Sequence, residues 1–179
     1  TKSTFTRSGT FNHNSGTLKL TAPYNTTRTI TFGVMTVNNL EFNTDMNYDT
    51  YTMTTSGTIT VLGNLALTKT AGGSSGTLNG GTYNVSGNIS STADFYGTML
   101  TKAVGNSNQT ISGTSVISNL EIASTGGTVT ISGSPTIYKS FLYTSGTVST
   151  TGSTVTFVAP TSSTFAMNLS AINFNNVTF

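Results

Sequence analysis

The 179-residue chain has no cysteine, no tryptophan, one histidine and three prolines. Without cysteine there is no disulfide, no thiolate zinc site and no thiol nucleophile. Charged residues make up 7% of the chain, against about 25% in ordinary soluble domains. Five carboxylates (Glu41, Asp45, Asp49, Asp94 and Glu121) and seven Lys/Arg are scattered along it. That excludes an acidic tail, a coiled coil and the clustered basic face that nucleic acid requires. No apolar run approaches the roughly 18 residues of a membrane-crossing helix. Strong helix formers are scarce: Gln109 is the only glutamine, and no stretch of about ten residues repeats its apolar positions at helical spacing.

What remains is small and polar. Thr (40), Ser (23), Gly (19) and Asn (18) account for 100 of the 179 residues. Such a mixture stays disordered when apolar residues are missing. Here hydrophobic residues reach 35%, with 10 Phe and 7 Tyr spread over the whole length. They fall in short alternating runs: Thr29-Ile30-Thr31-Phe32, Thr58-Ile59-Thr60-Val61, Thr128-Val129-Thr130-Ile131 and Thr154-Val155-Thr156-Phe157. Strand side chains point alternately to two faces, so each run puts Thr on one face and an apolar residue on the other. Thr is β-branched and suits that role. Gly-Thr occurs nine times, which reads as a turn glycine followed by the first residue of a strand. The pattern predicts strands of about 4–7 residues separated by tight turns.

Internal repetition is the stronger signal. A shift of 137 positions lays residues 2–42 on 139–179 without a gap, with twelve identities in 41 positions, where this composition gives about four by chance. Apolar positions keep the same phase, as in Leu18/Val155, Leu40/Val177 and Val37/Phe174. A shorter unit recurs as Asn39-Leu40-Glu41-Phe42, Asn119-Leu120-Glu121-Ile122 and Asn176-Val177-Thr178-Phe179. Its spacings of 80 and 57 are near multiples of 19–20. A unit of that size with Gly turns predicts one coil of a right-handed parallel β-solenoid, and the chain then holds about nine coils in a single domain spanning 1–179. Asn39, Asn119 and Asn176 become structural repeat positions, either as a side-chain amide ladder between coils or as left-handed turn residues. The alternative fold is an antiparallel β-sandwich pilin completed by a neighbour's strand; a gapless 41-residue self-match favours the solenoid.

Stretches such as GTLNGGTYNVSGNIS (76–90), FNHNSGTLKL (11–20) and NQTISGTSVISNLEI (108–122) resemble the Thr/Ser/Gly/Asn-rich β-solenoid repeats of large secreted bacterial surface and fibre proteins. The resemblance implies an extracellular or cell-surface shaft with no catalytic residue in the repeat. Neither terminus reads as a cap, since Thr1–Thr10 and Ala171–Phe179 look like ordinary repeat. Uncapped layers imply further layers, so the expected partner is the chain itself, as a head-to-tail polymer or continuing repeats. A shaft that binds glycans or a surface is the alternative, with Tyr48 and Tyr51 as the nearest aromatic pair.

The sequence holds little chemistry to set against this. Asp45 and Asp49 share a Tyr/Asn/Thr loop that reads as a solvated turn. His13 stands alone between two Asn and reads as a surface turn, without partners for a metal or a triad. Gly72-Gly73-Ser74-Ser75-Gly76 has the form of a nucleophile elbow, but no His follows it. No cofactor and no enzymatic activity are expected. Glu41 and Glu121 occupy matching positions, with Thr178 in the third copy.

Overall fold

The computed structural model describes residues 2–7, 9–22, 27–44, 51–70, 75–161, 164–169 and 172–179. Among these the alternating runs form sixteen strands and no helix. They are β1 (Lys2–Thr6), β2 (Thr17–Ala22), β3 (Thr27–Val37), β4 (Asn39–Thr44), β5 (Tyr51–Val61), β6 (Leu65–Lys69), β7 (Gly76–Asn79), β8 (Thr82–Val85), β9 (Ile89–Ser91), β10 (Phe95–Ala103), β11 (Gln109–Gly113), β12 (Val116–Ile131), β13 (Thr136–Ser149), β14 (Thr154–Phe157), β15 (Ala166–Asn168) and β16 (Asn176–Thr178). Every strand pair is parallel. Parallel pairing throughout excludes the antiparallel sandwich and makes the chain an all-β parallel β-solenoid.

The pairs stack into three faces. The first holds β1, the leading parts of β3 and β5, β7, the starts of β10, β12 and β13, then β14 and β16. The second holds the trailing parts of β3 and β5, β8, the end of β10, the middles of β12 and β13, and β15. The third holds β2, β4, β6, β9, β11 and the ends of β12 and β13. One inward row on the third face reads Leu18, Leu40, Leu65, Ile89, Ile111, Ile131.

The expected nine coils of 19–20 residues are corrected to fewer, longer turns of unequal length, because the nine strands of the first face enclose eight turns. The step between paired residues runs from 18 (Thr82 to Leu100) to 26 (Ser140 to Ala166). Connections absorb the difference while strands stay in register. Six residues link β6 to β7, and three link β9 to β10. A solenoid needs strands over strands, and corners tolerate insertions at small cost.

Inward positions form one continuous apolar core from Ile30 to Phe157. Aromatic rings lock successive layers: Phe42 meets Tyr83 edge-on at 5.5 Å, and Phe157 contacts Phe141, Phe165 and Phe174. Tyr83 is fully buried, yet its hydroxyl donates to Thr55 Oγ1 at 2.7 Å, and Thr55 Oγ1 in turn contacts the Gly80 carbonyl at 3.0 Å. That chain removes the penalty of a phenol in an apolar interior.

Candidate assembly interface

Corners are where a strand ladder stops, so their N–H groups need other acceptors. On the third face asparagine supplies them. Asn39 Oδ1 accepts the Asn64 N–H at 2.8 Å, Asn64 Oδ1 accepts the Asn88 N–H at 2.8 Å, and Asn88 Oδ1 accepts the Thr110 N–H at 2.8 Å. Asn108 Oδ1 repeats the contact with the Thr128 N–H at 2.9 Å. Of the three repeat asparagines, only Asn39 stands in this ladder. Asn119 lies on the second face, where its Nδ2 donates to the Met99 carbonyl at 2.9 Å and its Oδ1 accepts the Ser140 hydroxyl at 3.0 Å. Asn176 lies on the first face, at the start of β16 and opposite Thr154. Its side chain has no hydrogen-bond partner among the described residues. The register therefore does not stack the three asparagines in one row. Spacings of 80 and 57 are whole coils plus two-thirds of a turn, and each occurrence is turned onto another face. The sequence signal for Asn64 and Asn88 is the pair Gly63-Asn64-Leu65 and Gly87-Asn88-Ile89, 24 residues apart.

The carboxylates of the recurring unit do the same work on two faces. Lys19 Nζ sits 2.9 Å from Glu41 Oε1, and Thr68 of the following coil donates to the same oxygen at 2.7 Å. Lys102 Nζ sits 2.8 Å from Glu121 Oε1, and Thr144 of the following coil donates to it at 2.8 Å. Each Glu thus joins three coils. Partial burial alone pushes the Glu41 carboxyl up, but hydrogen bonds from Lys19 and Thr68 and the ammonium charge outweigh it and leave its pKa below the usual 4.5. In the unfolded chain that carboxyl takes a proton at higher pH than in the folded one. The stabilisation is therefore complete above pH 4.5 and is lost as pH falls through the lower folded value. Solvent screening limits it to about 0.5 kcal/mol. Thermal melts of the wild type between pH 7 and pH 3 should show this small loss, and Glu41→Gln should remove that component. An unchanged pH profile in the variant refutes the assignment.

The outermost described layers are unlike the interior ones. The 137-residue match is also a match of strand pairing. Thr17, Leu18 and Lys19 pair with Asn39, Leu40 and Glu41, and Thr154, Val155 and Thr156 pair with Asn176, Val177 and Thr178. Leu40 and Phe42 are 1% and 0% exposed, covered by β6. Their counterparts Val177 and Phe179 are 38% and 85% exposed. At the opposite side of the stack a cavity of about 380 Å³ opens among Phe11, Leu18, Leu20, Ile30, Phe32 and Met35. Arg7 closes part of its rim by donating to the carbonyls of Phe32, Gly9 and Val34 at 3.2, 2.6 and 2.8 Å. Arg28 also lines it, at a position stacked under Met53, and its Nε is buried without a hydrogen-bond partner.

Among the described residues, His13 and Asp94 each make a local structural contact. His13 Nδ1 accepts the Ser15 N–H at 3.2 Å within a turn. Asp94 Oδ1 accepts the Val116 N–H at 2.9 Å, a structural contact between coils. Asp45, Tyr48, Asp49 and residues 72–74 lie outside the described residues, and only the backbone of Tyr51 is described. Among the described residues no three His, Cys, Asp or Glu side chains cluster in a metal-binding arrangement, and no helix is long and apolar enough to cross a membrane. No protein-family model, curated protein or solved structure matches the chain.

Proposed function

We propose that the protein is a mechanical element of an extracellular or cell-surface filament, in which solenoid layers stack end to end through further strand pairing. One observation carries this reading: Thr154–Thr156 pair with Asn176–Thr178 in the same register as Thr17–Lys19 pair with Asn39–Glu41, so the plan of the first layers recurs in the last. A chain whose apolar pattern and pairing repeat at its two outer layers supports a rod that continues by adding layers of its own kind. Scarce charge supports it too, because few ions lose water when layers meet. The role needs no cofactor and no catalytic group, and the secretion and surface location follow from the resemblance of the Thr/Ser/Gly/Asn-rich repeats.

Nine strands stack on the first face, so each subunit adds a rise on the order of 40 Å at the usual strand spacing. Concentrated protein should form unbranched fibres in electron micrographs. Aligned fibres should diffract at about 4.8 Å along the fibre axis, together with the longer subunit repeat that amyloid lacks. A single monomeric species in sedimentation at high concentration, with no fibres, refutes the reading.

A further inference from the structure

The 137-residue match has a geometric meaning. It carries β1 on the first face to the 139–143 part of β13 on the second, and β2 on the third face to β14 on the first. The match therefore equals six turns plus one further face. Under the same shift the leading part of β3 corresponds to β15, and β4 corresponds to β16. Inside the molecule, the coil of β1 and β2 pairs with the coil of β3 and β4, and residues 9–16 between β1 and β2 form no strand. The β15–β16 layer has the same plan: strand, a non-strand stretch at 172–175, strand.

Resting on the filament reading, we propose that a second copy of this chain covers the β15–β16 layer with its own β1–β2 coil, turned by one face about the rod axis. Its β2 then pairs with β16, with Thr17 opposite Asn176, Leu18 opposite Val177 and Lys19 opposite Thr178. Its β1 lies over β15. Leu18 and Leu20 cover Val177 and Phe179, whose rings and methyl groups enter the apolar cavity behind β2. The free side chain of Asn176 accepts the Thr17 N–H, as Asn88 accepts from Thr110 and Asn108 from Thr128 within the chain. The contact joins two different surfaces, so it propagates as an open helical filament rather than closing into a dimer. Each subunit is rotated by a third of a turn relative to the last.

Cysteine cross-linking tests the joint against a background free of native thiols. Lys19 and Thr178 are both exposed. Across the joint their Cα atoms come within about 5 Å, inside disulfide range, while within one copy they lie at opposite sides of the stack. The variant Lys19→Cys/Thr178→Cys should pass under mild oxidation from a monomer band to a ladder of covalent oligomers on non-reducing gels. Thr4→Cys/Thr178→Cys, which reports β1 laid unrotated over β16 with Thr4 opposite Thr178, should stay monomeric. A ladder from the second pair alone overturns the rotation. Fibres in micrographs with neither pair linked overturn the joint and leave the filament reading standing. Monomers throughout, at fibre-forming concentrations, overturn both.

Discussion

Replacing Gln109 by methionine should destabilise the protein by about 3 kcal/mol, although the two side chains are similar in size. Gln109 is buried at the start of β11, pointing into the solenoid. Its Oε1 accepts the Gly105 N–H at 2.7 Å, and its Nε2 donates to the carbonyls of Val85 and Gly87 at 3.0 and 2.7 Å. One amide therefore satisfies three backbone groups at two successive corners, one in its own coil and one in the coil before. Methionine keeps the volume and removes every one of those bonds. The Val85 carbonyl keeps the Val104 N–H at 2.9 Å, so the Gly105 N–H and the Gly87 carbonyl are the groups orphaned, at about 1–3 kcal/mol each, the smaller figure applying where water can reach. For a chain of this length a loss of that size lowers the melting temperature by about 10 °C. A shift of less than about 2 °C would falsify the idea that this side chain staples the two corners.

Much of the fold was legible because a solenoid writes its architecture into a local rule. Thr58-Ile59-Thr60-Val61 alternates in sequence, and Ile59 and Val61 are buried while Thr58 and Thr60 face outward. The absence of helix and the parallel stacking follow from that rule plus repetition. Coil length was not legible, because it is set at corners where residues can be added without moving a strand. A uniform 19–20 therefore hid the rotation between copies of the unit. Asn39 and Asn119 matched in sequence for a sound reason, since Glu41 and Glu121 two residues later make the same three-coil contact. They are on different faces because 80 residues is not a whole number of turns. Gln109 gave only a weak signal, being the single glutamine in the chain. The ladder asparagines were masked by composition, since 18 asparagines leave no single one conspicuous. The outer layers became informative only when strand pairing could be compared across the 137-residue match, as sequence reports the apolar pattern but not which strands it lays on one another.

The second large effect is expected at Gly57. It has φ +95 and stacks on Gly33, which has φ +64, at the bend where β3 and β5 pass from the first face to the second. Both glycines adopt backbone conformations that an L side chain resists, at a cost of about 1–2 kcal/mol. Their surroundings differ. A Cβ on Gly57 would run into the carbonyl of Gly33 in the coil before it, whereas a Cβ on Gly33 would meet nothing within 4 Å. Gly57→Ala must therefore separate two coils as well as strain one residue, and the obstacle is backbone, which cannot rotate away. We expect a loss of about 3 kcal/mol or more for Gly57→Ala and about 1 kcal/mol for Gly33→Ala, measured by urea denaturation of the two variants side by side. The difference between them isolates the close approach of stacked coils from the conformational preference that both positions share. Equal losses would mean that the coils can spread at this corner without cost, and the rigidity required of a rod would then have to come from its other two corners.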